Sequence, residues 1–318
     1  MADDRRARFR QALKDPSPLL MPGGFSPIMA RMAQLVGFQA FYMSGSQTAA
    51  YVHGLPDVGL VTMRDMVDNA RRVASVSEIP IFADADTGYG NAINVHHTVQ
   101  EYVRAGVAGI HLEDQEAPKK SGTMAGRRCI SREEAIGKIK AAVAAKREID
   151  PEFVICARCD VIGAEGGSYE EAVGRSIAYA EEAEADMVWL NNVQTLQEAE
   201  DACRRIPCPV IPHWGGPPPA PSLEDWRNVG AAALLFPAMT TSVGLQAAWD
   251  FLNDFKERGM AAQEDWSQRA RNAPWGPVGK HSAELLRGAR IRDLEDQYLP
   301  RELQRDYEST FGHRSSLD

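Results

Sequence analysis

Short runs of uninterrupted apolar residues recur along this chain, each breaking into polar or glycine-bearing positions and then into apolar residues spaced three to four apart. Leu19–Gly24, Ala40–Met43, Ile79–Asp84, Gly109–Leu112, Phe153–Arg158, Met187–Leu190, Val210–Ile211 and Ala232–Phe236 are predicted strands. Helices are predicted over Ser26–Val36, closed by Gly37, and over Met63–Ser75, Val95–Ala105, Ser131–Arg147, Tyr169–Ala183 and Thr241–Arg258. Strands apolar at every position are buried on both faces, as in a parallel sheet. Eight of them alternating with helices fit an α/β fold of the (β/α)8 TIM-barrel type better than an open sheet.

The expected organisation is one barrel domain over 1–258, with an N-terminal helix around Arg6–Leu13, and a C-terminal helical arm over 259–318. Beyond Gly259 the chain turns charged and carries Trp266, Pro274, Trp275 and Pro277, then a helix-like stretch at Ser282–Leu286 and the acidic run Asp293–Asp296. Two arrangements stay open for the arm: docking on its own subunit, or exchange with a neighbouring subunit in a homo-oligomer.

Composition narrows the partners. With 318 residues, 44% of them hydrophobic, the chain suffices for one large core. A net charge of −9 argues against a nucleic-acid groove and against docking on an anionic membrane, leaving a small polar substrate. No run reaches the ~18 apolar residues of a membrane span, and the charged start lacks the apolar core of a signal peptide. A cytoplasmic protein is expected. Five cysteines without a disulfide or zinc spacing suit reduced thiols; Cys156 and Cys159 are formally CxxC but point to opposite faces of a strand.

The chemistry gathers where strands run out. In Ile81–Gly90, Asp84 and Asp86 lie two apart, so in an extended segment their carboxylates face one way, toward a hard divalent cation. A polar turn closing the strand is the alternative. The next strand ends in Glu113, and the Pro/Gly-framed loop around Asp57 can reach the same point. Four converging acids repel one another, and Mg²⁺, or Mn²⁺ in its place, is the simplest remedy. Ser44, Gly45, Ser46, Arg158, Asn191 and His213 also fall at strand ends, where such barrels carry their chemistry.

Tyr42–Ser46, Asp57, Ala83–Asn91, Leu112–Gln115 and Pro118–Gly122, in that order, resemble the isocitrate lyase/phosphoenolpyruvate mutase superfamily over residues 20–258. The resemblance implies Mg²⁺ held by Asp84, with Asp57, Asp86 and Glu113 acting partly through water, and a substrate carboxylate or phosphonate gripped by Ser44, Gly45, Ser46 and Arg158. It also implies a homo-oligomer, a tetramer, with exchanged late helices. The residue types agree: successive N–H groups of a Ser-Gly-Ser turn form an anion nest, and Arg158 presents a planar fork for a carboxylate, unless it is spent on a barrel acid. Tyr42 is placed to exchange a hydroxyl proton, or else is an aromatic strand residue.

The chain departs from the superfamily's lyases in three places. Their mobile loop reads Lys-Lys-Cys-Gly-His, whereas here Lys119, Lys120, Ser121, Gly122 and Thr123 follow one another. A thiol with a pKa near ~8.5 is a usable acid at neutral pH and an alkanol is far weaker. Asn191 replaces an acid after the sixth strand, and His213 an asparagine after the seventh. His213 binds substrate, moves a proton, or is a structural histidine.

Glu116–Arg128 is the expected lid, with Lys120 and Ser121 as its catalytic members. The expected activity is Mg²⁺-dependent carbon–carbon cleavage of a small 2-hydroxy or 2-oxo dicarboxylate, of the 2-methylisocitrate or 2,3-dimethylmalate type. An oxaloacetate-decarboxylase-like reaction, whose enolate water can protonate, phosphonate chemistry and a non-catalytic metabolite-binding barrel are the alternatives.

Overall fold

A computed structural model describes residues 2–273, 285–307 and 309–310. Eight parallel strands, β1 (Leu19–Gly24), β2 (Phe41–Met43), β3 (Ile81–Asp84), β4 (Gly109–Glu113), β5 (Val154–Cys159), β6 (Met187–Val193), β7 (Val210–Trp214) and β8 (Ala233–Phe236), pair in the order β7-β6-β5-β4-β3-β2-β1-β8. Ala232 completes the ring: its N–H donates to Val210 O at 2.9 Å on the β7 side, and its carbonyl accepts from Leu19 N at 3.0 Å on β1. The (β/α)8 barrel predicted from the apolar runs is the observed fold.

Strand residues alternate between two cores. Met21, Tyr42, Phe82, Val154, Cys156, Met187, Trp189, Ile211 and Leu235 fill the barrel interior, while Phe41, Met43, Ile81, Ala83, Ile155 and Cys159 pack outward under the helices. Cys156 and Cys159 therefore do face opposite ways, and all five thiols are free.

The first helix, α1 (Ala2–Ala12), caps one end of this interior. Phe9 is fully buried with its ring 5.6 Å from Phe82, and the arginines around it serve orphan backbone carbonyls. Arg6 donates to Val103 O and Val107 O, and Arg10 to Phe153 O and to Asp186. A helix so rich in charge docks because those guanidinium groups stay hydrogen-bonded when buried.

The helices α2 (Pro27–Val36), α4 (Met63–Val76), α5 (Ala92–Ala105), α6 (Arg132–Ile149) and α7 (Tyr169–Glu181) lie where their spacing predicts, and a side chain caps each start. Three helices were not predicted: α3 (Gly45–Val52), α8 (Leu196–Arg205) and α9 (Leu223–Asn228).

Residues Met1–Thr241 form one compact unit and those from Ser242 a second. The helix α10 (Met239–Arg258) runs across that boundary and precedes α11 (Met260–Asn272) and α12 (Ala289–Tyr298). In the second unit Phe251 packs 5.9 Å from Trp266, and Arg258 pairs with Asp254 and Asp265. Pro274, Trp275, Pro277 and most of the Ser282–Leu286 stretch lie outside the described residues.

Candidate active site

The C-terminal ends of the strands surround a pocket of about 400 Å³. Tyr42, Ser44, Ser46, Asp57, Asp84, Ser121, Arg158, Asn191 and His213 line it, so most of the residues singled out from the sequence converge. Gln47, Lys119, Gly122, Thr123 and Trp189 join them. Asp86 and Glu113 stand behind this wall beside Lys119. Lys120 does not line the pocket; its backbone N–H and carbonyl hold the Gln115 side chain, and Lys119 takes the inward place.

Asp84 is the hub. Its Oδ2 accepts from Gly45 N at 3.0 Å and from Tyr42 Oη at 3.3 Å, and its Oδ1 accepts from Asp86 N at 2.8 Å. Burial works to raise its pKa, but His111, Lys119 and Arg158 hold it down at about 2, so it is a carboxylate at all working pH. The Ser44–Ser46 segment differs from its prediction as a loop. Ser44 caps α3, which turns the expected nest into a helix start, and the Gly45 amide is spent on Asp84. A Cβ at Gly45 would lie 2.5 Å from Asp84 Oδ2, so glycine is what permits this approach.

Asp86 does not continue the strand. Its φ of 49° bends the chain, so the extended-strand argument for parallel carboxylates fails, although both acids still face the same cluster. Lys119 Nζ sits in that cluster, in close contact with Asp57 Oδ1, 2.8 Å from Asp86 Oδ1 and 3.9 Å from Glu113 Oε1. Burial opposes its charge, but Glu113, Asp86, Asp84 and Asp57 together raise its pKa.

Both Glu113 oxygens and Asp86 Oδ1 are buried, and the groups facing them are cations, Lys119 and Arg158. Such a set of hard, buried carboxylate oxygens, balanced only by cations, fits a Mg²⁺-like ion. Among the described residues, no three acid, histidine or cysteine groups already stand as ligands around one point, because the ammonium draws the acids to itself.

Arg158 is buried, and its fork is already in use: Nε and Nη2 donate to Asp160 Oδ1 and Oδ2 at 2.9 and 3.0 Å. Asp160 is held in turn by Gln115. The Trp189 ring lies 4.5 Å from the guanidinium carbon, and Glu113 Oε2 is 3.1 Å from Nη1. What Arg158 offers a ligand is thus its outer Nη edge and not the fork predicted for it.

Tyr42 Oη is also 2.9 Å from His111 Nε2, and burial pushes that imidazole down to about 4. Burial, then the Asp84 charge, raises the Tyr42 pKa, so the phenol keeps its proton. His213, on the pocket wall 5.3 Å from Trp189, is likewise lowered to about 4 by burial and by Arg158, and is a neutral ring at pH 7. Asn191 Nδ2 is committed to Gly122 O at 3.0 Å and not to open space.

His111, Asp160 and Trp189 escaped the sequence reading because nothing in their spacing separates them from core. An inward His on a strand ending in acids was the one available signal.

The sequence model of the phosphoenolpyruvate phosphomutase family matches residues 9–254. The chain is 37% identical to the 2,3-dimethylmalate lyase of Eubacterium barkeri, over 80% of this chain and 88% of that one. It is 36% identical to the 2-methylisocitrate lyase of Shewanella oneidensis, over 82% and 89% respectively. A phosphonopyruvate hydrolase solved with oxalate and Mg²⁺ superposes with a TM-score of 0.79 at 27% identity, covering 93% of this chain and 99% of that one. From its barrel, its strand-end acids and this match across most of its length, the chain belongs to the phosphoenolpyruvate phosphomutase family of the isocitrate lyase/phosphoenolpyruvate mutase superfamily.

Proposed function

We infer that the protein is a Mg²⁺-dependent lyase that cleaves a carbon–carbon bond of a small 2-hydroxy or 2-oxo dicarboxylate. The observation that carries this is a pocket lined by Asp57, Asp84 and the outer edge of a buried, rigidly held arginine, with the buried acids Asp86 and Glu113 directly behind its wall. Asp84, Asp86, Glu113 and Asp57 would hold the cation, or Mn²⁺ in its place. When bound, it supplies stabilisation of negative charge developing on a substrate oxygen as the bond breaks.

The protein's own groups do the rest. The Arg158 outer edge, with the Ser44 and Ser46 hydroxyls, binds and orients a carboxylate. Tyr42, between Asp84 and His111, is a protonated phenol that passes a hydroxyl proton along that chain of partners. His213 is neutral, so it orients substrate by hydrogen bonding and is not a strong acid at pH 7. Ser121 on the loop faces the pocket where a proton is needed after cleavage.

One observation favours a second reading. Ser121 is a weak acid, which suits loss of CO₂ from oxaloacetate, where water supplies the proton. A panel of 2,3-dimethylmalate, 2-methylisocitrate, oxaloacetate and phosphonopyruvate, assayed with and without Mg²⁺ for pyruvate, glyoxylate and CO₂, tests both. No metal-dependent turnover of any of them would leave a metabolite-binding barrel.

We further propose a homo-oligomer, a tetramer, in the cytoplasm. Leu245, Trp249 and Leu252, on one face of α10, are 54, 65 and 63% exposed, and a second copy of the chain is the occupant proposed for that face. Among the described residues no helix is long and apolar enough to cross a membrane. Sedimentation of the intact protein reads the subunit count, and a monomer at micromolar concentration would count against this part.

A further inference from the structure

The lid segment is seated over the arginine, and its Gly122 carbonyl gathers three donors there. The Gly122 carbonyl accepts from Asn191 Nδ2 at 3.0 Å, Asn192 Nδ2 at 3.2 Å and Arg127 Nη1 at 2.6 Å. Two of those donors come from the end of β6, where the pairing with β7 slips between Leu190 and Val193. Asn192 there has a φ of 65°, a left-handed conformation that asparagine tolerates better than most residues. This irregularity lets two consecutive side chains reach the same oxygen, which a regular strand would send to opposite faces.

The seat itself is close. A Cβ at residue 122 would lie 2.1 Å from Arg158 Nη2 and 2.9 Å from Asn191 Nδ2, so the loop backbone rests directly on the guanidinium edge. The base of the loop is pinned separately, by the Gln115–Cys129 bridge and by Glu116 N–H donating to Arg128 O at 2.8 Å.

We propose that Asn191, seconded by Asn192, is a positioning residue: it latches the lid through the Gly122 carbonyl and so controls access to Arg158, instead of binding substrate. The amide is essential to this role. A carboxylate at 191 has no proton to give a carbonyl and would repel it, so the acid-for-asparagine departure seen in the sequence exchanges an open-favouring side chain for a closed-favouring one. The inference does not depend on which reaction the pocket performs, because the latch is read on protein without metal or substrate.

Hydrogen exchange of the full-length protein, followed at the amides of residues 119–126, tests it. Replacing one hydrogen bond of three lowers lid protection by about tenfold in Asn191→Ala, the equivalent of ~1.4 kcal/mol. Asn191→Asp, which adds repulsion, lowers it further, while Asn191→Gln, which keeps the donor, retains more protection than either. Amides of β3 to β5 report whether the barrel is intact in each. Lid protection in the Ala and Asp variants equal to that of the unaltered protein overturns the proposal, as does an equal loss in Asp and Gln. Should Asn191→Asp fail to fold, Asn192→Ser removes the second donor and carries the same expectation and the same refutation.

Discussion

Lys119→Met is the substitution that most directly tests how the acid cluster is stabilised. The ammonium is 4% exposed and lies 2.8 Å from Asp86 and 3.9 Å from Glu113, besides touching Asp57. At an effective dielectric near 20 those two separations correspond to about 6 and 4 kcal/mol of attraction, offset by the cost of burying the charges. Removing one partner of a buried ion pair leaves the others uncompensated, and the expected net loss is about 3–5 kcal/mol. For a unit of this size that is roughly a 10 °C fall in Tm.

A divalent cation would restore the missing charge. Metal-free Lys119→Met should therefore melt well below the unaltered protein, and Mg²⁺ should raise its Tm by more, since stabilisation grows with [Mg²⁺]/Kd and the competing ammonium is gone. Thermal unfolding by circular dichroism, with EDTA and across a Mg²⁺ titration, measures both. A variant as stable as the unaltered protein in EDTA, or one with an equal or smaller Mg²⁺ response, would refute the assignment of these acids to a shared cation site.

Gly45→Ala should cost about 1–3 kcal/mol of stability through crowding and weaken Mg²⁺ binding, read by calorimetry, because a Cβ would sit 2.5 Å from Asp84 Oδ2. His111 is buried and lowered to about 4, against ~6.5 unfolded. Between those values the unfolded chain binds more protons, so stability is complete above pH ~6.5 and is lost as pH falls toward 4, by about 3 kcal/mol. Imidazole ¹⁵N shifts should show a neutral ring at pH 5.5, and a protonated one there would contradict the burial argument. Ser121→Cys should raise cleavage of a 2-hydroxy dicarboxylate by tenfold or more, since it restores a usable acid; unchanged turnover would mean the proton comes from elsewhere.

The parts legible in the sequence were those with strong local physics. Strands apolar at every position announced the parallel barrel, and strand-end acids announced the pocket. α3 was missed because Gly45–Val52 is six small or polar residues followed by Tyr51 and Val52, without an apolar stripe, and α8 because only Ala199 and Ala202 of its residues are buried. Lys119 and Lys120 are adjacent and identical in type, so which one turns inward is set by the loop path and not by local preference. Arg158 was correctly placed at the site, but its pairing with Asp160, two residues on, needed the geometry after β5 to be seen.

The cap formed by α1 sets an order of events during synthesis. Residues 5–10 are made well before their partners: Arg6 bonds to Val103 and Val107, and Arg10 to Asp186, which is 176 residues further along. At about 5–20 residues per second that separation is roughly 10–35 s of elongation. Phe9 and Arg6 gain partners partway through, at Phe82, Val103 and Val107, but Arg10 waits for Asp186 until the end of that interval. Docking of α1 is thus a long-range step that cannot be completed until the chain has reached Asp186, at the edge of β6.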